Sequence, residues 1–199
     1  MPYLLCPLSN DQNHVLYEWK LNEQNWDLYT GPVGMLLTEE RFIENLEKEI
    51  AQGTLQVYVI VAEQDISQPL GRITLFDYNP RNRSAELGYY IPSELRSQGI
   101  GQNMMRLFLE RVFEQDNDLN KVYATTSSNN DPSIRLLEGN GFTLDGRLRE
   151  HYWIRGRRYD QLHYSMLRSD WELLMLRKKH TAGHTKSPLA SELCSMKQH

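Results

Sequence analysis

The sequence predicts a single mixed α/β domain, and three features of the chain predict it. Three β-branched and aromatic runs, QVYVIVAE (56–63), PLGRITLFDYN (69–79) and AELGYYI (85–91), are separated by polar turns and predict an antiparallel meander. An amphipathic segment then leads to a further strand, KVYATTS (121–127), so residues 85–127 contain a parallel crossover. The 199 residues are enough to bury one substantial core.

A short strand and mostly helical sequence precede the meander. The clearest helix is LLTEERFIENLEKEIAQG, in which Thr38 can cap the N-terminus and Gly53 ends the last turn. Its apolar residues recur at helical spacing: Phe42, Ile43, Leu46 and Ile50. We therefore expect an amphipathic helix directly before the meander.

Two further helices follow the meander. Pro92 ends the third strand, and the segment 93–113 comes next. This segment carries an apolar stripe at helical spacing, formed by Met104, Met105, Phe108, Leu109, Val112 and Phe113. A shorter helix begins at Asp131, because the next residue is a proline and proline suits a first helical turn. Gly139 and Gly141 mark its end.

The last patterned segment is FTLDGRLREHYWIRGRRYDQLHYSML, which alternates strongly and contains Arg155-Gly156. It predicts two strands joined by a tight turn. After Trp171 the alternation is lost, and basic and small polar residues dominate. We therefore expect one domain over residues 1–175 and a flexible tail over residues 176–199.

Composition and charge exclude several functional classes. The net charge of −4 argues against a general nucleic-acid-binding surface. Cys6 and Cys194 lie near opposite ends, so they make no disulfide framework and fit a reducing compartment. The first residues, MPYLLCPLSNDQ, lack the charged start and long apolar run of a signal peptide, and no stretch approaches the ~20 apolar residues of a membrane span. We expect a cytoplasmic protein that contacts neither membrane nor nucleic acid directly.

The loop RSQGIG (96–101), between a strand and an amphipathic helix, is suited to holding an anion. The first N–H groups of a helix have no intrahelical acceptor, and glycines keep side chains clear of a bound phosphate. A nucleoside-triphosphate loop needs lysine and serine or threonine after the last glycine, but Gln102 and Asn103 stand there. A dinucleotide fingerprint needs a third glycine at Met104. Both familiar phosphate motifs therefore fail.

Arg-x-x-Gly-x-Gly, after a strand ending Gly-Tyr-Tyr-Ile-Pro, resembles the acetyl-CoA-binding motif of the GNAT superfamily of N-acetyltransferases. The stretch NNDPSIRLLEGNGF resembles the family's Asn-x-x-Ser…Gly-Phe segment. DGRLREHYWIRGRRYDQLHYSML resembles the closing hairpin of the branch that includes ribosomal-protein-alanine and spermidine acetyltransferases. The resemblance covers roughly residues 3–170.

The resemblance implies a fold and a cosubstrate. The implied fold is a strongly twisted, mostly antiparallel sheet flanked by helices, in which a central parallel pair splays apart. The implied cosubstrate is acetyl-CoA, with its pantetheine arm along strand 87–91, its pyrophosphate on the 96–101 loop and a hydrogen bond from Asn130. The implied cofactor-binding residues are Tyr89, Tyr90, Ile91, Arg96, Ser97, Gln98, Gly99, Ile100, Gly101 and Asn130.

Acetyl transfer to an amine requires a neutral amine and a stabilised leaving thiolate. Deprotonating a polyamine-like amine at pH 7 costs about 4.6 kcal/mol, whereas an α-amine costs only about 1 kcal/mol. A base therefore matters far more for a polyamine than for a protein N-terminus. The expected acceptor is a primary amine of a protein N-terminus, a polyamine or a small molecule.

Two residues are candidates for the acid–base chemistry. Glu86 matches an acidic position common in this branch and can take the amine proton, although an ordinary strand carboxylate is the alternative. Many family members carry a tyrosine general acid four residues before Gly-Phe, but Leu137 stands there. Ser133 is the replacement the resemblance suggests, although it can equally be a helix-start hydroxyl. Neither cysteine lies in the expected site, which favours direct transfer without a covalent intermediate.

The remaining polar residues carry weaker signals. Tyr89 and Tyr90 alternate across their strand, so we expect one to face the cofactor and the other to pack in the core. His151 and His163 lack metal-ligand spacing, and we expect no metal. The most basic cluster, Arg147, Arg149, Arg155, Arg157 and Arg158, is either a solvated hairpin or a contact surface for an acidic or RNA-bound target.

Two other functions stay open at this point. The missing tyrosine allows a non-catalytic acyl-CoA-binding or scaffold module with the same fold. The anion loop also allows a nucleotide-binding regulator. The sequence leaves open whether the protein is a monomer or a homodimer.

Overall fold

The computed structural model describes residues 2–23, 37–115 and 119–181. The strands are β1 (Tyr3–Pro7), β2 (Leu55–Ala62), β3 (Asp65–Asn79), β4 (Ser84–Tyr90), β5 (Lys121–Ser127), β6 (Thr143–Ile154) and β7 (Arg157–Leu167). The helices are α1 (Asn13–Asn22), α2 (Glu39–Ala51), α3 (Ile100–Glu110), α4 (Asp131–Gly139) and α5 (Arg168–Thr181). Short 3₁₀ turns lie at Asn10–Gln12 and Ser93–Leu95.

The strands form one sheet in the order β1-β2-β3-β4-β5-β7-β6. Only β4 and β5 pair in parallel among these neighbours, and the other five pairs are antiparallel. The meander of β2, β3 and β4 and the closing hairpin of β6 and β7 are therefore confirmed. The parallel crossover through α3 is confirmed as well, and the fold is mixed α/β as expected.

Alternation along the strands divides the apolar side chains between the two faces of the sheet. On one face, Ile60 of β2 and Ile73 of β3 belong to the same fully buried cluster as Phe108 of α3. On the other face, Val59 of β2 packs in a smaller cluster with Leu16 of α1 and with the second helix, α2. The sheet is thus covered by α3 and α4 on one side and by α1 and α2 on the other.

Local capping signals place the helix ends where the sequence predicts them. The Thr38 hydroxyl accepts a hydrogen bond from the Arg41 N–H at 3.4 Å, and Gly53 follows α2 with φ of +71°. The Asn130 side chain accepts from the Ser133 N–H at 3.3 Å and begins α4, with a proline in the first turn.

Two strand and helix starts differ clearly from the sequence expectation. β3 begins at Asp65 instead of residue 69, because its pairing with β2 continues past an irregularity in the register. α3 begins at Ile100 instead of residue 93, because Ser97 and Gly99 both have positive φ and interrupt a helical path. A π-helical turn, Arg111–Gln115, follows α3.

The C-terminal helix was not predicted. Trp171 is buried, and its ring centroid lies 6.2 Å from that of Phe113, so the start of α5 packs onto the domain. The helix continues to Thr181, beyond the expected boundary at residue 175. Leu173 and Leu176 are exposed on it, which explains why the sequence shows no amphipathic stripe here. Residues 176–181 of the expected tail therefore belong to α5, and its remainder, residues 182–199, lies outside the described residues.

Cys6 lies on β1. Cys194 lies outside the described residues. Across the helices that the structure describes, none is long and apolar enough to cross a membrane.

Candidate functional site

The central feature of the site is an opening between β4 and β5. These strands pair at three positions, Ser84 with Lys121, Ala85 with Val122 and Glu86 with Tyr123. β4 continues to Tyr90 and β5 to Ser127, but the register of the pair ends at Glu86. The two strands therefore diverge towards their C-terminal ends, and the splay expected from the resemblance is present.

The loop before α3 lies beyond the end of β4, and its backbone is shaped for an anion. Ser97 has φ of +63° and Gly99 has φ of +77°. The first intrahelical bond of α3 runs from the Asn103 N–H to the Gly99 carbonyl at 3.1 Å, so the N–H groups of residues 100–102 precede it. These donors and the positive end of the helix dipole suit a phosphate.

The two glycines of the loop have different roles. Gly99 begins α3 in the left-handed conformation, and an added Cβ there would meet no heavy atom within 4 Å. Gly101 has no positive φ, and an added Cβ would lie 3.6 Å from the Leu136 side chain, an ordinary contact distance. Gly99 is therefore required by its backbone conformation, whereas Gly101 is not.

Arg96 is engaged within the protein. Its Nε donates to the Ile91 carbonyl at 2.9 Å, and its Nη2 donates to Glu23 Oε2 at 2.6 Å. The Glu23 side chain is only 2% exposed, while that of Arg96 is 36% exposed. The ion pair holds the anion loop against the end of α1. The Arg96 guanidinium therefore positions the loop and also adds positive charge near it.

Tyr89 and Tyr90 face opposite sides of β4, as the alternation predicts. The Tyr90 ring packs against Trp19 of α1 at a centroid distance of 5.5 Å, and burial raises the pKa of Tyr90 to about 12. Tyr89 faces α4, where its hydroxyl lies 2.6 Å from Ser133 Oγ. Burial raises the pKa of Tyr89 to about 12 as well.

Glu86 lies at the last paired position of β4, on the face opposite Tyr89. Thr125 Oγ1 of β5 donates to Glu86 Oε1 at 3.0 Å. Burial raises the pKa of Glu86, the Thr125 hydrogen bond lowers it, and the nearby Asp77 carboxylate raises it. The net shift is upward, which makes this carboxylate a stronger base than an exposed glutamate.

Sequence reasoning missed several residues around Glu86. The Tyr123 hydroxyl donates to Asp77 Oδ2 at 2.6 Å, and the pKa of Tyr123 is raised by burial and by this carboxylate. His163 of β7 also interacts electrostatically with Glu86. Alternation along β5 could have placed Tyr123 and Thr125 on the Glu86 face. No local pattern could have added Asp77, which lies on β3 with φ of +52°.

Leu137, which stands where many family members carry a tyrosine, is fully buried in the main core. It therefore supplies no acid to the opening. Ser133 and Asn130 lie at the start of the same helix, beside the diverging ends of β4 and β5. The structure thus brings Tyr89, Asn130 and Ser133 together on one face and Glu86 on the other.

The basic hairpin adjoins the C-terminal end of β5, where β7 pairs with that strand up to Ser127. Arg147 Nη1 donates to Asp160 Oδ2 at 3.1 Å, and the Asp160 N–H donates to Ser128 Oγ at 3.1 Å. The groove here is open to solvent, and its lining residues are Arg147, Leu148, Arg149, Glu150, His151 and Asp160. In residues 2–23, 37–115 and 119–181, no group of three or more His, Cys, Asp or Glu side chains is arranged to hold a metal ion.

Comparison with known families agrees with this geometry. Residues 4–143 match the family described as the acetyltransferase (GNAT) domain. A match over most of the chain places it in a class of acyl-group transferases. The chain belongs to the GNAT acetyltransferase family.

Several curated relatives are similar to the chain. YdaF of Bacillus subtilis (strain 168), provisionally named a ribosomal N-acetyltransferase, is 32% identical over 102 residues, 51% of this chain and 55% of YdaF. YokL, an uncharacterized N-acetyltransferase derived from the SPbeta prophage of the same organism, is 30% identical over 132 residues, 65% of this chain and 71% of YokL. Spermidine N(1)-acetyltransferase of Vibrio cholerae serotype O1 is 29% identical over 111 residues, 56% of this chain and 64% of that enzyme. The chain therefore spans little more than half the length of YdaF.

Solved structures share the fold. Spermidine N-acetyltransferase from Vibrio cholerae, in complex with CoA and spermine, superposes with a TM-score of 0.76 at 22% identity, covering 85% of this chain and 98% of that one. RimL, a ribosomal L7/L12 alpha-N-protein acetyltransferase in complex with coenzyme A, superposes with a TM-score of 0.71 at 18% identity, covering 82% and 92%. At these identities the superpositions establish the architecture alone.

Proposed function

We propose that the protein is an acetyl-CoA-dependent N-acetyltransferase that moves the acetyl group directly to a primary amine. The observation that carries the proposal is the opening between β4 and β5, with an anion-binding helix start beyond it and Glu86 at its base. Relatives named for spermidine and ribosomal-protein acetylation support the same reaction class.

The residues beside the opening fit the parts of acetyl-CoA. The N–H groups at the start of α3 suit the pyrophosphate, and β4 residues beyond Glu86 keep backbone groups that are not paired with β5. The Asn130 side-chain oxygen already caps α4, so its amide N–H₂ is the group that can donate to the cosubstrate. When bound, acetyl-CoA supplies the activated thioester.

Glu86 is proposed as the general base for the acceptor amine. Its raised pKa brings the titration of the carboxylate closer to neutral pH, which suits a general base. Thr125 holds one carboxylate oxygen in place. Asp77 adds a second carboxylate nearby, so the face attracts a protonated amine before the proton is removed. This arrangement favours cationic acceptors, among which polyamines require the base most.

Direct transfer is proposed because the described cysteine lies far from the opening. Cys6 is on β1, and β2 and β3 separate that strand from β4. Ser133 is proposed to hydrogen-bond the leaving thiolate. Leu137 cannot do so, because its side chain has no donor and is buried in the core.

The test is an acceptor screen with acetyl-CoA, read by release of free thiol. The panel contains a polyamine, a peptide with a free N-terminus, an amino acid and an aminoglycoside. On a polyamine acceptor, Glu86→Gln should lower kcat by 10²-fold or more, as expected for a general base. Ser133→Ala should lower kcat roughly 10- to 100-fold, the range of one hydrogen bond to a charged group. Glu110→Gln, which removes a carboxylate paired with Arg106 on α3, is the matched control and should retain wild-type kcat.

A second candidate function is a non-catalytic CoA-binding module, which the buried Leu137 favours. Such a module would be stabilised by CoA in a thermal-shift assay yet release no thiol with any acceptor. Stabilisation by ATP but not by CoA would instead indicate a nucleotide-binding regulator. Thiol release that depends on both an amine and Glu86 would exclude both alternatives.

We also propose that residues 1–175, extended by α5, form one catalytic domain. The proposed assembly is a monomer or a homodimer in the cytoplasm, and size-exclusion chromatography with light scattering distinguishes the two states. The Vibrio cholerae spermidine N-acetyltransferase has a solved dodecameric structure, so a larger particle is the third outcome of that measurement.

A further inference from the structure

One side-chain hydrogen bond crosses the opening where the backbones of β4 and β5 have separated. Tyr89 lies three residues beyond Glu86, the last β4 residue paired with β5. Its hydroxyl oxygen is 2.6 Å from the Oγ of Ser133, in the first turn of α4. The bond therefore joins β4 to the start of α4 across the gap, on the face that also carries the anion loop.

The number of protons in this pair restricts what each hydroxyl can do. The Ser133 N–H is already used by Asn130, so only the Ser133 hydroxyl is available for chemistry. Each hydroxyl has one proton, and only one of the two protons can lie between the oxygens. Either oxygen could donate at this distance, but a phenol is more acidic than an alkyl alcohol and is the better donor, so donation from Tyr89 to Ser133 is the favoured arrangement. The Ser133 proton is then left to point elsewhere.

The environment of Tyr89 keeps this arrangement fixed. Burial raises the pKa of Tyr89 to about 12, so the phenol stays protonated and donating over the whole range in which enzymes work. Its ring packs against the main core, which restricts its rotation. The Asn130 cap holds Ser133 in place through the Ser133 backbone N–H.

We propose that Tyr89 is a positioning residue that donates to Ser133 and directs the single Ser133 proton into the opening. There the Ser133 hydroxyl hydrogen-bonds the thiolate that leaves when the acetyl group moves to the amine. No net proton passes through Tyr89, and the thiolate is finally protonated by solvent. The inference rests on the proposed function, and the Tyr89–Ser133 pair takes the place of the missing acid at Leu137.

A purely structural role predicts a different pattern of kinetics. If the bond only holds β4 to α4, loss of the phenol and loss of the serine hydroxyl should act separately on kcat. If Tyr89 acts through Ser133, the phenol has nothing to position once that hydroxyl is removed. A double-mutant cycle separates the two roles.

The experiment measures kcat and the KM for acetyl-CoA of the full chain, Tyr89→Phe, Ser133→Ala and the double variant, on the best acceptor from the screen. Tyr58→Phe is the matched control, because it removes another buried phenol whose partner is Gln56, on β2. Tyr89→Phe should lower kcat roughly 3- to 10-fold, the range of one neutral hydrogen bond, with KM within about twofold. The double variant should be no slower than Ser133→Ala.

Two results would overturn the inference alone. One is a Tyr89→Phe kcat equal to that of wild type. The other is a double variant whose loss equals the product of the two single losses. If the wild-type chain transfers acetyl to no amine, the proposed function fails and the inference fails with it. Thermal unfolding of each variant verifies that the compared proteins are folded.

Discussion

Gly99 offers the sharpest test of the anion loop, because its backbone alone demands a glycine. It begins α3 with φ of +77°, and an added Cβ there meets no protein atom within 4 Å. Gly99→Ala therefore introduces no clash with the protein. Its whole effect arises from the left-handed conformation, which costs an alanine about 1–2 kcal/mol.

That strain predicts a loss of stability, of CoA affinity or of both. If the loop keeps its conformation, the free folded state carries the strain. Each kcal/mol lowers the melting temperature of a domain of this size by about 2–4 °C, so Gly99→Ala should then unfold about 2–8 °C below wild type and bind CoA normally. If the loop relaxes instead, the melting temperature stays close to wild type and its N–H groups turn away from the phosphate. Restoring them on binding then costs the same 1–2 kcal/mol, which weakens CoA binding about 5- to 30-fold. An intermediate relaxation divides the same free energy between the two measurements.

Gly101→Ala is the matched control, two residues further on. Gly101 is helical without a positive φ, and its added Cβ would meet Leu136 at 3.6 Å. Replacing a helical glycine by alanine gains up to about 1 kcal/mol. This variant should therefore melt at or above the wild-type temperature and bind CoA within about threefold of wild type.

Thermal unfolding and isothermal titration with CoA measure both quantities on the same samples. A Gly99→Ala variant with the wild-type melting temperature and CoA affinity would refute the argument from backbone conformation. Equal losses in both alanine variants would instead show that side-chain clearance matters, and that the loop accepts either backbone.

The other predictions concern Glu86 and Arg96. Because burial raises the pKa of Glu86 in the folded chain, its contribution to stability is greatest in acid and is lost as the pH rises through that raised pKa. The Glu86→Gln variant should therefore melt at or above the wild-type temperature at pH 8, and the two melting temperatures should be equal below about pH 4. A variant that melts below wild type at pH 8 would contradict this. With a polyamine as acceptor, the wild-type rate should rise with pH as Glu86 loses its proton. With an α-amine as acceptor, Glu86→Gln should lower the rate much less than it does with a polyamine. Arg96→Ala leaves the buried Glu23 carboxylate without its guanidinium and should cost about 2–3 kcal/mol in the free energy of unfolding by urea. Arg106→Ala, which breaks an exposed pair on α3, should cost less than about 0.5 kcal/mol, and equal costs would contradict the structural role of Arg96.

Most elements of the fold were predictable because their signals are local. The strand over KVYATTS and the helix that begins at Asp131 were predicted at the residues where they occur. The Thr38 cap acts within three residues of its partner, so spacing alone identifies it, whereas the Asn130 cap was not predicted. Helix α5 was missed because Trp171 is buried while Leu173 and Leu176 are exposed, so its apolar side chains form no stripe.

The candidate site was predictable only in part. Gly99, Asn130, Ser133 and Glu86 could be named from motif spacing. The pairings that set their chemistry join residues far apart: Tyr89 and Ser133 are separated by 44 positions, Tyr123 and Asp77 by 46, and Arg96 and Glu23 by 73. No local pattern contains such information.

The sequence by itself determined the order of the elements from the meander to the closing hairpin, the anion loop and the resemblance that leads to acetyl-CoA. Propensity, capping and turn chemistry act over a few neighbouring residues and can be recognised in a single chain. Only the tertiary structure decided where β4 and β5 separate, which tyrosine reaches Ser133 and which carboxylates surround Glu86. Those outcomes depend on how the twisted sheet aligns distant segments and removes water from their side chains, and both effects exist only once the whole domain has packed.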